Sequence, residues 1–176
     1  MKRTFFSLAL LLAVATLTAQ TKMTAREAAV KIADRILAST TYEFKNTKTG
    51  EIYKSVKKLP LDMDVKVACK YNNWHYTNGV TNMALMELGD KLGDKKYEKY
   101  VLKNMNFVFN EGNLDFFRKQ YDEAFKRDGW NAVRKLSWHM IFRGKRLDDN
   151  GPMGASLIEL QLKYPNDSFL GYINET

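Results

Sequence analysis

Cysteine, histidine and proline are all scarce in this chain, with one, two and three copies among 176 residues. A single thiol, Cys69, excludes any intrachain disulfide. In its setting before Lys70-Tyr71, Cys69 reads as a small buried hydrophobe rather than a nucleophile. His75 and His139 lie far apart, with no cysteine near and no H-E-x-x-H spacing, so no zinc motif and no metal site is expected. The longest apolar run, Phe5 to Ala15, is too short for a membrane span. The basic residues are scattered rather than massed, which argues against nucleic acid as a partner. No fixed internal period appears, against an array of repeats, and no stretch alternates with period two.

What is present is core-forming material: 45% hydrophobic residues, 12% aromatics and 27% charged, in a length that suits one ordinary domain. Residues 1–19 stand apart. Lys2 and Arg3 precede the apolar run, and Thr-Leu-Thr-Ala-Gln follows, the layout of a secretory signal cut near Ala19. An exported protein, periplasmic or extracellular, is expected. Losing Lys2 and Arg3 lowers the formal charge from +8 to +6. That balance suits an acidic partner, an anionic sugar included.

From residue 20 the pattern is helical. Thr24-Ala25-Arg26-Glu27 is a capping box, and Ala29, Ile32, Ala33, Ile36 and Leu37 form one face, so the spacing predicts a helix over 25–39. From Thr40 to Asn73 the periodicity lapses, and a long loop is expected, with a turn at Asn46–Gly50 and room for a short hairpin. A second helix follows Asn78-Gly79, with Val80, Met83, Ala84, Glu87 and Leu88 as its inward face and Gly93 as its stop. A third runs through Tyr97, Tyr100, Val101, Asn104 and Val108. A fourth spans Leu114 to Asp128 on Phe117, Tyr121, Ala124 and Phe125, and a shorter fifth covers Asn131 to Phe142. The sixth follows Pro152 and ends at Lys163-Tyr164-Pro165. Asn166-Asp167-Ser168 then opens an apolar face, Phe169, Leu170, Tyr172 and Ile173, that runs out at Thr176, so the chain reads as cut off in mid-domain. The expected class is all-α, helix pairs on short connections.

The most informative stretch is Arg146-Leu147-Asp148-Asp149-Asn150-Gly151-Pro152-Met153-Gly154. Proline is favoured in the first turn of a helix, so Asp148 to Asn150 are expected at a helix entrance, where unpaired backbone donors converge. Taken alone, this is an Asp/Asn turn and N-cap.

Two further stretches change that weighting: Trp74-His75-Tyr76-Thr77-Asn78-Gly79-Val80 and Leu92-Gly93-Asp94-Lys95-Lys96-Tyr97. Together with the acidic stretch, in this order and spacing, residues 24–176 resemble the N-terminal half of the unsaturated glucuronyl and rhamnogalacturonyl hydrolases, glycoside hydrolase families 88 and 105. The resemblance implies an (α/α) barrel of six helical hairpins, of which this chain holds about the first half. It also implies two aspartates at the starts of inner helices. Asp149 matches the first through Gly151 and Gly154, while the Trp-Leu-Asp setting of the second does not occur here.

The implied substrate is an oligosaccharide ending in an unsaturated uronic acid, as lyases leave it, and no cofactor is implied. Asp149 is the catalytic candidate as acid/base partner or substrate ligand, with Asp148 the runner-up and substrate ligand. Trp74 and Tyr76 are either a wall facing the sugar or core packing at a helix entrance. Asn78 either caps its helix or reaches a hydroxyl, and His75 is expected at the surface. The aromatics from Tyr97 to Phe125 are expected between hairpins. The competing reading is a non-enzymatic helical-hairpin protein that binds a partner.

Overall fold

The computed structural model describes residues 23–109, 112–143 and 147–175, with the side chains of Asp149 and Glu175 outside the description. The expected secretory signal at 1–19 therefore lies outside the described residues.

The chain divides at Ile32. In the leading unit the capping box forms as expected: Thr24 N–H donates to Glu27 Oε2 at 2.8 Å and Glu27 N–H donates back to Thr24 Oγ1 at 3.2 Å. That reciprocal pair satisfies two donors that a helix start leaves open. It launches α1 (Ala25–Ser39), which continues into the second unit. Within that unit Ala33 is buried and Asp34 accepts a hydrogen bond from the Tyr97 hydroxyl at 3.0 Å.

The segment after α1 holds the short hairpin for which the sequence left room, extended by a third strand. The protein is mostly helical, but it carries a small antiparallel sheet of β1 (Phe44–Asn46), β2 (Ile52–Tyr53) and β3 (Val65–Val67), ordered β2-β1-β3. Phe44 pairs with Tyr53 on one side and Val67 on the other. The turn falls at Asn46–Gly50 as the sequence indicated: Asn46 Oδ1 accepts from Lys48 N and Thr49 N, and Gly50 takes φ +80°. Such a side-chain-closed turn is what Asn supplies. Phe44 and Val65 are fully buried, and Phe44 stacks on Phe107 at 5.2 Å, so the sheet is held by its few inward residues.

The helical body comprises α2 (Tyr76–Leu92), α3 (Lys96–Phe109), α4 (Asn113–Asp128), the short α5 (Trp130–Val133) and α6 (His139–Arg143), α7 (Leu147–Lys163) and α8 (Asp167–Glu175). Gly93, at φ +66°, closes α2 by a left-handed cap and turns the chain into α3. α3 buries Tyr97, Tyr100, Val101, Asn104 and Val108, the face its periodicity gave. α2 does not bury its expected face. Val80, Met83, Ala84 and Glu87 are exposed, and the buried residues are Asn78, Gly79, Asn82, Leu85, Met86 and Gly89.

The reason is close helix packing. Gly79 sits against the backbone of Pro152 and Met153, where a side chain would collide. Further along, Lys163 of α7 reaches Asp90 of α2. Residue 79 against 152–153 and residue 90 against 163 make α2 and α7 parallel neighbours in register.

Two more expectations are corrected. The predicted helix 131–142 is broken into α5 and α6, with Trp138 between them at φ +56°. A bulky residue rarely adopts that conformation. Trp138 is held there by its indole N–H on the Asn72 carbonyl at 2.7 Å, its backbone N–H on Asn73 Oδ1 at 3.3 Å, and its ring on Phe117 at 4.7 Å. Phe125, expected inside, is 52% exposed, its ring stacked on Tyr121.

Candidate functional site

The two motif stretches, seventy-odd positions apart in sequence, meet at one end of the α2–α7 pair. Trp74 Nε1 donates to Asn150 Oδ1 at 2.8 Å. The indole is 1% exposed, edge-on to Phe109 at 5.8 Å and to Tyr172 at 5.5 Å. With the indole this deeply buried, of the two readings open for Trp74 the structure takes core packing. The sugar-facing role falls away.

Tyr76 is different. It opens α2 with its ring 46% exposed and tilted against His75 at 4.7 Å. His75, expected as a surface residue, is half-buried and supplies the α2 N-cap, its side chain accepting from Thr77 N–H. Its Nδ1 also lies 2.9 Å from the Thr77 hydroxyl. Asn78 is neither the cap nor free for a hydroxyl through its nitrogen. Its Nδ2 donates to the carbonyls of Lys70 and Asn73 at 2.8 and 2.7 Å, tying the preceding loop to the first turn of α2.

Among the described residues helix α7 runs from Leu147, ahead of the start that Pro152 indicated, so Asp148, Asp149 and Asn150 lie within the helix rather than before it. The cap reading of this stretch is corrected accordingly. Pro152 stands inside the helix, and its missing N–H deprives the Asp148 carbonyl of the usual helical donor. The Asp148 side chain is exposed. The Asp149 side chain lies outside the described residues, although its backbone is placed in that helix. Asn150 was not singled out by the sequence reading, yet it makes the link to Trp74.

Around this end, α8 packs Phe169 and Tyr172 against Phe109. Burial pushes the Tyr172 phenol up to about 12, with the charge of Arg118 pulling the other way. At the opposite end, Glu98 is buried and accepts from the Tyr164 hydroxyl at 2.5 Å and from Lys163 at 2.9 Å. Those two donors hold its carboxyl below the ordinary carboxylate value. This network joins α3 to α7, and the sequence reading missed it, since i,i+4 spacing cannot reveal partners 65 positions apart.

Cys69 is buried and free of disulfide, its Sγ 3.9 Å from the Ser39 carbonyl. Among the described residues no three metal-ligating side chains converge. Within the same residues no helix is long and apolar enough to cross a membrane. No protein-family model matches the chain, and no curated protein matches it either.

Proposed function

We propose that the chain is part of an exported carbohydrate hydrolase acting on oligosaccharides that end in an unsaturated uronic acid, with Asp149 in its acid/base machinery. The observation that carries this reading is the Trp74–Asn150 hydrogen bond, which sets the Trp-His-Tyr stretch beside the Asp-Asp-Asn stretch. The parallel register of α2 and α7 also supports it. In a barrel of helical hairpins, inner helices run side by side and present their N-terminal ends to a common cleft. The exposed side chains at that end include Tyr76 and Asp148.

The chemistry is hydration. An acid delivers a proton to C4 of the C4–C5 double bond, water adds its oxygen at C5 and gives up a proton to a base, and the resulting hemiketal opens to release the neighbouring sugar. Two groups of opposite protonation are required at once, rather than the displacement at the anomeric carbon used by ordinary glycosidases. In this reading Asp149 serves one of those roles, Tyr76 offers an aromatic face with a hydroxyl to the sugar, and Asp148 accepts from its hydroxyls.

The test is the ultraviolet absorbance of the unsaturated uronide, which disappears on hydration. The exported enzyme should bleach a lyase-generated disaccharide, and Asp149→Asn should abolish bleaching while leaving the melting curve unchanged. Normal turnover in that variant removes Asp149 from the mechanism.

A second reading is favoured by one observation: Tyr76, Val80 and Met83 on α2, and Ile158 and Leu162 on α7, are large apolar residues left exposed. A helical-hairpin protein that docks a partner on these faces would show no bleaching, and its partner binding would be lost on Val80→Asp.

A further inference from the structure

Two hollows adjoin where the strand segment around β3 meets the end of α4, and Met63 and Arg127 border both. The larger, about 690 Å³, is walled by Asp64 and Lys66 on one side and by Arg127, Asp128 and Lys135 on the other. Lys66 is half-buried, its ammonium donating to the Lys135 carbonyl at 2.6 Å. Burial lowers its pKa, and the ammonium of Lys135 acts in the same direction, while Asp64 and Asp62 oppose both. Arg127 uses Nε on Asp128 at 2.8 Å, which leaves the two terminal nitrogens of its fork. Lys66, Lys135 and Arg127 thus line one hollow, and an anion among three like charges would offset them. The carboxylates of Asp64 and Asp128, interleaved with these cations, are acceptors for hydroxyl groups.

The second hollow, about 540 Å³, supplies an independent sign. Gln120 lines it and is 1% exposed. Its Nε2 donates to the carbonyls of Asp62 and Val65, which fixes the amide orientation, because a flipped amide would set oxygen against oxygen. Its Oε1 is buried and without a donor among the described residues. A buried acceptor left open is satisfied by a hydroxyl or a water brought to it.

We propose that this double hollow binds a small sugar acid. The carboxylate lies between Lys66, Lys135 and Arg127, and the hydroxyls donate to Asp64 and Asp128, with one hydroxyl or its water completing Gln120 Oε1. Cations alone would select any anion, and acids alone any polyol. The interleaved lining selects a molecule that is both. The hollow shares no residue with the end of the α2–α7 pair and does not rest on the hydrolase reading.

Calorimetric titration with D-gluconate, sorbitol, acetate and inorganic phosphate tests this on the whole chain. Gluconate should bind at one site, with sorbitol and acetate each weaker by about tenfold or more, a step of about 1.4 kcal/mol. Lys135→Glu and Arg127→Gln, both at exposed positions, should each weaken gluconate by a similar factor without lowering the melting temperature. Asp149→Asn should leave gluconate binding unchanged, which keeps this site separate from the proposed catalytic one. Equal affinity for gluconate and acetate, tighter binding of phosphate than gluconate, or gluconate binding indifferent to Lys135→Glu overturns the proposal. So does the absence of any gluconate heat.

Discussion

The contact between Gly79 and the Pro152–Met153 backbone makes a quantitative prediction. A Cβ added at residue 79 would lie 2.7 Å from the Pro152 oxygen, and closer still to the Pro152 carbonyl carbon and the Met153 nitrogen. Ordinary contacts of carbon are about 3.5–4.0 Å, so α2 and α7 would have to separate by about 1 Å. A gap of that size forfeits up to about half of each pairwise attraction along the seam. The obstruction is backbone on the far side, which no rotamer change can relieve, so the cost belongs at the top of the overpacking range of about 1–3 kcal/mol. Alanine recovers about 1 kcal/mol of helix propensity.

The expected net loss is about 2 kcal/mol, or about 4–8 °C in melting temperature for a chain of this size. Gly154→Ala in α7 is the control, because nothing lies within 4 Å of its added Cβ. It should gain up to about 1 kcal/mol from propensity alone. Urea unfolding followed by far-ultraviolet circular dichroism measures both. A Gly79→Ala protein as stable as the parent would show that the two helices do not touch there. A Gly154→Ala protein destabilised equally would show that the helices resist alanine for some other reason.

Other outcomes follow from the same geometry. Trp74→Phe keeps one aromatic ring but removes the rest of the indole with its N–H, leaving Asn150 Oδ1 without its donor and a cavity in the core; the expected cost is at least about 1–3 kcal/mol in urea unfolding. An unchanged midpoint would mean that this hydrogen bond contributes nothing net. Glu98 is ionised in the folded protein at pH values where the unfolded chain, with its ordinary value of 4.5, takes up a proton. Its contribution is therefore complete above about pH 5 and lost as the pH falls through the lower folded value. Melting temperature should drop with acidification over that window, and Glu98→Gln should flatten the drop; identical pH profiles would remove Glu98 as a source. Tyr164→Phe deletes one of its charged hydrogen bonds and should cost about 1.5–3 kcal/mol at neutral pH, read by thermal melting.

How much of this was legible in the sequence depended on what each helix buries. α3 buries Tyr97, Tyr100, Val101, Met105 and Val108 at helical spacing, and α1 and α4 were bounded by their capping box and stop glycine, although of the face expected for α1 only Ala33 is buried, with Ala29 and Ile32 exposed. α2 buries Asn78, Gly79, Asn82 and Gly89, small or polar residues that a hydrophobicity pattern assigns to solvent, so its face was read wrongly although its end was right. The β1–β2 hairpin was allowed for at the Asn46–Gly50 turn, but β3 escaped because it is three residues long and pairs with β1 across about twenty positions. Trp138 broke a helix that local propensity supported, because its tertiary hydrogen bonds to Asn72 and Asn73 hold it in a conformation that no pattern encodes. At the candidate site the acidic stretch and Tyr76 could be picked out. The partner that ties them, Asn150 on Trp74, is a matter of distance in space and left no local trace.

The side-by-side, same-direction course of α2 and α7 has an electrostatic consequence. Antiparallel neighbours cancel their axial dipoles, whereas two aligned helices add theirs, at roughly +0.5 elementary charge for each N-terminus. The end where His75, Tyr76 and Asp148 sit thus carries the equivalent of about one fixed positive charge built from peptide groups alone. Such a field offsets part of the negative charge that Asp148 and its neighbour Asp149 bring to the same end. Beyond the surface the reach of that field should shrink with ionic strength, as the Debye length falls from about 30 Å at 0.01 M salt to about 8 Å at 0.15 M.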